Sequence, residues 1–265
     1  MKRHVIAWIV LAAVAFGLPR QEFLTQWKAA NAGGAWTPLD IEGLVGWFDA
    51  ADTNTITVSA GHITQWVDKS GEGNHAIPKN IIAPTSGTET LNSFNVIACV
   101  SQGLYVPYNI NLECTAVLVY KRTGANLYSF GRSHSGINDR FYMDSYDTTT
   151  PEISVGSFGQ LRSVHTMTDI NDWRVRTFAM SESAREAYLK IGGESLETFA
   201  LTGSDIIPAG QYGFGIGATA DGVNSLHNFG SHHNVNVAEV IIYDRVLTVG
   251  EMNKIESYIT GKWGL

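Results

Sequence analysis

Residues 234–265 read NVNVAEVIIYDRVLTVGEMNKIESYITGKWGL, and the reading of this stretch decides the fold. Val237 to Tyr243 is dense in β-branched and aromatic side chains and is bounded by Asn236 on one side and by Asp244 and Arg245 on the other, the composition of a buried strand. A helix follows almost at once. Thr248 stands three residues before Glu251, as in a capping box, and Met252, Ile255 and Ile259 recur at helical spacing. Gly261 is expected to stop that helix. The closing residues Lys262, Trp263, Gly264 and Leu265 are too apolar for a solvated tail, so Trp263 and Leu265 are expected to fold back onto the domain and close its sheet.

Working back from this end, the body of the chain reads as strands separated by turns. Leu44 to Phe48 and His62 to Val67 alternate apolar with polar residues, and Thr115 to Lys121 is an apolar run fit for a central strand. Arg174 to Met180, Glu186 to Ile191 and Gly213 to Gly217 continue the series. Tyr188 to Glu194 reads as a hairpin whose two-residue turn is Gly192-Gly193. No long helical period occurs between the two terminal regions, and no fixed repeat is visible. The expected fold is all-β: a two-sheet jelly-roll sandwich with an N-terminal apolar helix and a short C-terminal helix.

Composition agrees. The 27 glycines and a charged fraction of 16% fit many tight turns. A folded region of about 230 residues buries roughly 70% of its unfolded surface, which is enough to stand without a covalent staple. The net charge of −7, with Lys and Arg scattered, disfavours a nucleic-acid partner, which would need a basic stripe. Cys99 and Cys114 are too few for a disulfide framework or a structural zinc site and are read as two buried thiols in preference to a bridge.

At the other end, Lys2, Arg3 and His4 precede the uncharged run Val5 to Leu18, and Ala13-Val14-Ala15 offers a small-residue cleavage site, the layout of a secretory signal. The run is shorter than the roughly 20 apolar residues of a spanning helix. Two outcomes stand: an uncleaved anchor packed inside a large assembly, set slightly ahead, and a cleaved export signal. Either allows membrane contact through Val5 to Leu18. Phe23, Leu24 and Trp27 share one side of a short amphipathic helix, which Gly33 and Gly34 end. The chain therefore divides into residues 1–35, an anchor or signal-like segment with an amphipathic linker, and residues 36–265, the sandwich.

Two segments carry a family resemblance. One is the C-terminal order of acidic residue, apolar strand, Tyr243-Asp244-Arg245, Leu247-Thr248, acidic helix, Tyr258 and Lys262-Trp263-Gly264-Leu265. The other is Gly43-Leu44-Val45-Gly46-Trp47-Phe48-Asp49-Ala50, followed by Asp52, Thr55 and the run Gln65 to Ala76. Together they resemble the concanavalin A-like lectin/glucanase superfamily, of the laminin-G-like kind found in bacterial surface proteins and bacteriophage virion proteins. The glucanase branch implies two carboxylates at alternate positions of a strand, one as acid and one as nucleophile. Its Glu-x-Asp-x-x-Glu pattern is absent from this chain, so no catalytic residue is assigned and the chain is expected not to be an enzyme. The resemblance places Asp49, Asp68 and Asn74 among fold-shaping turn residues.

Two groups of residues are candidates for binding. Asp49, Asp52 and Asn54 cluster after a strand, and oxygen ligands on a turn suit calcium, although the same side chains accept turn hydrogen bonds and that role is the stronger expectation. Sugar binding needs aromatic platforms beside amides and carboxylates, which points to Tyr142, Asp144, Tyr146, Asn171 and Trp173. The expected function is a non-catalytic bacteriophage virion component, in a head decoration, tail or fibre, that contacts other subunits through its N-terminal segment and carries a glycan-binding domain. The alternative is an exported bacterial lectin-like adhesion protein, secreted or on the cell envelope and bound to cell-surface glycans. A glycoside hydrolase stands third.

Overall fold

The computed structural model of the chain describes residues 36–79, 82–109, 113–124, 130–133, 140–143, 153–155, 172–200, 213–218, 220, 226 and 234–265. Its elements in chain order begin with β1 (Leu44–Asp49), β2 (Ile56–Ser59), β3 (His62–Trp66), β4 (Thr85–Leu91), β5 (Phe94–Val100) and β6 (Leu104–Val106). The middle of the chain gives β7 (Glu113–Arg122), β8 (Phe130–Ser133), β9 (Arg140–Met143) and β10 (Ile153–Val155). The remainder are β11 (Arg174–Ser181), β12 (Glu186–Ile191), β13 (Glu197–Ala200), β14 (Phe214–Ile216), β15 (Asn234–Tyr243) and one described α-helix, α1 (Val249–Trp263), beside short 3-10 turns at Pro38–Asp40 and Thr53–Thr55. The N-terminal apolar helix expected from sequence lies outside the described residues. Among those residues, no helix is long and apolar enough to cross a membrane.

All strand pairs are antiparallel. The larger sheet runs β13-β12-β11-β7-β15-β5-β4, and the smaller runs β10-β9-β8-β14-β6. β2 and β3 form a separate hairpin. β15 organises the larger sheet because its ten residues let one edge pair with β7 along its length while two strands share the other. β5 takes Asn234 to Val237, and β1 takes Glu239 to Tyr243. Between these two partners lies a bulge, with Val237 opposite Tyr120 and Glu239 opposite Val119, so that Ala238 is the extra residue. The Ala238 carbonyl accepts the Ala50 N–H at 3.0 Å as the chain leaves β1.

The two faces of this sheet have different partners. Tyr120 stacks on Phe130 of the smaller sheet with ring centroids 4.8 Å apart, and the alternating Leu118 and Ala116, with Phe178 across from them, point the same way. The opposite face lies under α1, which buries Met252, Ile255, Ile259 and Trp263. One contiguous apolar core includes all of these side chains. Burying each large apolar side chain of the helix is worth about 1.5–3 kcal/mol. The Thr248–Glu251 capping box, which is formed, contributes about 1 kcal/mol. Packing therefore holds the helix and the cap fixes where it starts.

The bulge turns Glu239 toward α1 with no exposure to solvent. Its Oε1 accepts Trp47 Nε1–H at 2.7 Å and the Tyr258 hydroxyl at 3.1 Å. Its Oε2 accepts Lys262 Nζ at 2.8 Å and Trp263 Nε1–H at 2.6 Å. A carboxylate in so dry a place persists only when its lone pairs are filled and its charge is balanced. Here β1 supplies one donor and the last two turns of α1 supply three.

This arrangement corrects the expected helix end. Gly261 lies inside α1, which continues to Trp263 so that Lys262 and Trp263 reach Glu239; the left-handed residue is Gly264, at φ 72°. Trp263 folds back as expected, whereas Leu265 is 39% exposed. The hairpin at Gly192-Gly193 also differs. Leu189 pairs with Glu197, so a longer loop joins β12 to β13, because the Gly192 N–H still bonds Val175 of β11 and only Gly193 takes positive φ. Cys99 and Cys114 are both buried and free. β15 runs between their strands, and burial pushes the Cys99 thiol up to about 12.

Substituting Glu239→Gln keeps the shape but removes the charge opposite Lys262 and two acceptor positions. It should destabilise the chain by about 3–5 kcal/mol in urea unfolding. A loss below about 1 kcal/mol would show that the site tolerates an uncharged group.

Candidate functional site

The opening strand of the domain and the turn after it build a charged cluster beside Glu239. Asp49, the last residue of β1, is 5% exposed. Its Oδ1 accepts Lys262 Nζ at 2.5 Å and the Ala51 N–H at 3.1 Å, and its Oδ2 accepts Lys69 Nζ at 2.9 Å. Lys69 also meets Asp52 at 3.0 Å and lies 4.5 Å from the centre of the Trp47 ring. Burial by itself would push the Asp49 carboxyl up. The two ammonium groups outweigh burial and hold it below its ordinary value. For Lys69, burial pulls down and the Asp49 and Asp52 carboxylates pull up more strongly, leaving the amine raised.

The candidate calcium ligands are thus close together, but Asp49 and Asp52 converge on the Lys69 ammonium, and Asn54 donates to Asp52 at 3.3 Å. Among the described residues, no group of three or more His, Cys, Asp or Glu side chains is arranged to hold a metal ion. A calcium ion here would have to displace an ammonium group already bridging both carboxylates.

The second turn follows the same logic with backbone donors. Asp68 accepts the Trp47 N–H at 2.9 Å, the Ser70 N–H at 2.8 Å, the Ser70 hydroxyl at 2.7 Å and the Asn74 N–H at 3.1 Å. Asn74 donates from its side chain to the Val45 carbonyl at 2.8 Å. These residues fasten the loop after β3 to β1, leaving no free carboxylate oxygen for chemistry.

Of the sugar-binding candidates, Asp144, Tyr146 and Asn171 lie outside the described residues, and Tyr142 is placed in β9 at backbone level. Trp173 is half-buried just before β11, and Lys121 Nζ stands 5.6 Å from its ring centre. Lys121 follows Tyr120 in β7, so it projects from the α1 side of the sheet. Across the sheet it pairs with Asn236, which in turn pairs with Ala98. Lys121 and Asn236 were not singled out from sequence. The available sign was a polar residue at an outward position of an otherwise apolar strand.

With this geometry in place, comparison with known proteins becomes informative. No family model matches the chain, and no curated protein matches it. Solved structures do share its fold. Trypanosoma rangeli sialidase in complex with sialic acid matches at a TM-score of 0.56 and 17% identity, over 87% of this chain and 35% of that one. Domain 4 of AbnA, an extracellular GH43 arabinanase from Geobacillus stearothermophilus, in complex with arabinotriose, matches at 0.55 and 12% identity, over 80% of this chain and 98% of that one. An arabinofuranosidase complexed with arabinofuranosyl-α-1,2-xylobiose matches at 0.57 and 13% identity, over 84% of this chain and 60% of that one. The chain spans about a third of the length of the sialidase structures it matches. At these identities the likeness speaks for the fold.

These matches correct two expectations. The sequence points to a virion component that is not an enzyme, yet the solved structures named above are glycoside hydrolases or a domain of one. The absence of one glucanase carboxylate pattern was too narrow a test, because it addresses one branch of one superfamily.

Asp49 in the cluster and Glu251 at the start of α1 together set a pH dependence. Asp49 and Glu251 are both held low in the folded state. In Glu251 the paired hydrogen bonds from Arg245 are the main cause, taking it from 4.5 to about 2. Depressed carboxylates contribute stability above their unfolded values, and this is lost as pH falls through the folded ones. The melting temperature should therefore drop between pH 4.5 and about 2, and Glu251→Gln should flatten that slope; an unchanged profile in the variant would remove Glu251 from the account. Calcium at millimolar concentration should leave the melting temperature unmoved, whereas a rise of several degrees that EDTA reverses would establish a calcium site.

Proposed function

We propose that this chain is a carbohydrate-binding domain of concanavalin A-like jelly-roll architecture that serves glycoside hydrolysis outside the cell. The observation that carries the reading is the match to the arabinanase domain, which is covered over 98% of its own length and is bound to arabinotriose. That structure is a single domain of the arabinanase in complex with arabinotriose. The two-sheet core, the resemblance of the Gly43–Ala76 and C-terminal segments to lectin/glucanase domains, and the aromatic and amide groups beside Lys121 support the same reading. The basic start and apolar run of Val5 to Leu18 support export.

Hydrolysis by this chain itself is the second reading, favoured by the arabinofuranosidase match over 84% of this chain. It requires two carboxyl groups facing a sugar, about 5–5.5 Å apart for retention or about 6.5–9.5 Å for inversion. Asp49 and Glu239 share the Lys262 ammonium, so a catalytic pair would draw on other carboxylates.

The test is isothermal titration of the purified chain with arabino- and xylo-oligosaccharides and with sialic acid, run beside an assay for released reducing sugar. Binding to at least one sugar is the expected result. Release of sugar with turnover would make the chain itself the hydrolase, and absence of both would overturn the glycan reading.

A further inference from the structure

We infer that the corner where α1 ends is a docking surface for the chain's own amphipathic segment, residues 20–31, which lies outside the described residues and covers the corner with Phe23, Leu24 and Trp27. This docking does not depend on the carbohydrate reading, and it concerns how the domain is held.

The described chain enters beside this helix. Trp36 packs edge-on against Tyr258 with ring centroids 5.8 Å apart, and the Tyr258 hydroxyl donates to Glu239. Trp263 donates to the same carboxylate, and Phe94 packs edge-on against Trp263 at 5.7 Å. Trp36 and Phe94 therefore flank two rings that share one acceptor. The β4–β5 hairpin is pinned at the same place, since Asn92 donates to the Lys262 carbonyl at 3.1 Å.

The Phe94 end of this strip is apolar and open. Phe94 is 40% exposed although it rests on a buried indole, and its cross-strand partner Leu91 is half-buried. Leu265 is 39% exposed and follows Gly264, where an added Cβ would lie 3.3 Å from Asn92. An exposed apolar side chain on its own is ordinary, but several gathered at one corner mark a contact surface. The exposed Val249 stands at the other end of α1 and the exposed Val100 at the other end of β5, each roughly 20 Å away by the rise of its element.

The tether selects the occupant. Residues 32–35, Ala-Gly-Gly-Ala, join the segment to Trp36 and span at most about 14 Å, and twelve helical residues add about 18 Å. From Tyr258 to the end of α1 the rise is only about 8 Å, so the corner is within reach. A short flexible link gives the segment an effective concentration on the order of millimolar, which a free partner would have to match. Its chemistry also fits: at helical spacing Phe23, Leu24 and Trp27 share one side, with Glu22 and Thr25 opposite. With the corner occupied, the apolar run at residues 5–18 leaves from the α1 end of the domain. A membrane or assembly that holds that run then lies at this end, and the Val100 end of β5 points away from it.

The experiment is disulfide trapping in the full chain in detergent, comparing Leu24→Cys/Phe94→Cys with Leu24→Cys/Val100→Cys. Phe94 and Val100 are both exposed, and Cys99 and Cys114 are buried, so the native thiols do not compete; melting temperatures check the fold of each variant. Under mild oxidation the L24C/F94C chain should close an intramolecular bridge about tenfold faster than L24C/V100C. Adding Trp27→Arg to L24C/F94C should slow closure to the control's rate. Equal rates in the two pairs, or a rate unmoved by W27R, would overturn the docking. Bridges formed only between molecules would assign the corner to a second copy, and loss of the bridge on adding phosphatidylcholine vesicles would assign it to lipid; either result would overturn the segment as occupant.

Discussion

A buried carboxylate that must be paired governs this molecule. Glu239 has no contact with water, and an isolated ionised carboxylate in such a place would cost several kcal/mol. Its four donors come from Trp47 on β1 and from Tyr258, Lys262 and Trp263 on α1. β1 must therefore lie against β15, and the helix must run its full length and dock at one angle. The network is better understood as fixing register and helix position than as adding stability, since buried ion pairs are often no more stabilising than apolar side chains of similar volume.

The consequences spread outward from that point. Lys262 also reaches Asp49, Asp49 reaches Lys69, and Lys69 reaches Asp52, so the loop after β1 is tied to the C-terminal helix through alternating charges. Glycine appears at the other end of β1, where the chain approaches Asp244 closely. Gly43, at φ 87°, sits where an added Cβ would come within 2.5 Å of Asp244, and that corner brings β1 alongside the end of β15. The bulge at Ala238 divides β15 into a part that pairs with β5 and a part that pairs with β1. It also sets Asn236 and Glu239 on the same side of the sheet, one beside an open surface and one beneath the helix.

Much of this fold was legible in the sequence, for identifiable reasons. The strand at Val237–Tyr243, the capping box at Thr248 and the helical spacing of Met252, Ile255 and Ile259 are local patterns, and local patterns survive into the structure. Gly261 was misread because a glycine stops a helix only where tertiary contacts allow it, and here Lys262 and Trp263 are needed one turn further on. Strands such as β4, with its sequence Thr85 to Leu91, went unseen because polar edge strands carry little apolar alternation. The candidate site was less legible. Trp173 could be picked out as an aromatic among polar residues, but Lys121 comes beside it through the pairing of β7 with β11 and Asn236 beside Lys121 through the pairing of β7 with β15, which no local window contains. Glu239 was visible as one acidic residue in a recurring order, and its role required knowing that Trp47 lies across the sheet from it.

The account's central claim is that the pairing of Glu239 fixes where α1 ends and how it docks on the larger sheet. A crystal structure of the Glu239→Gln chain tests that claim most directly. The account predicts that the last turn of α1 leaves the sheet, with Lys262 and Trp263 released from position 239. A helix that still ends at Trp263 with that indole buried would contradict it.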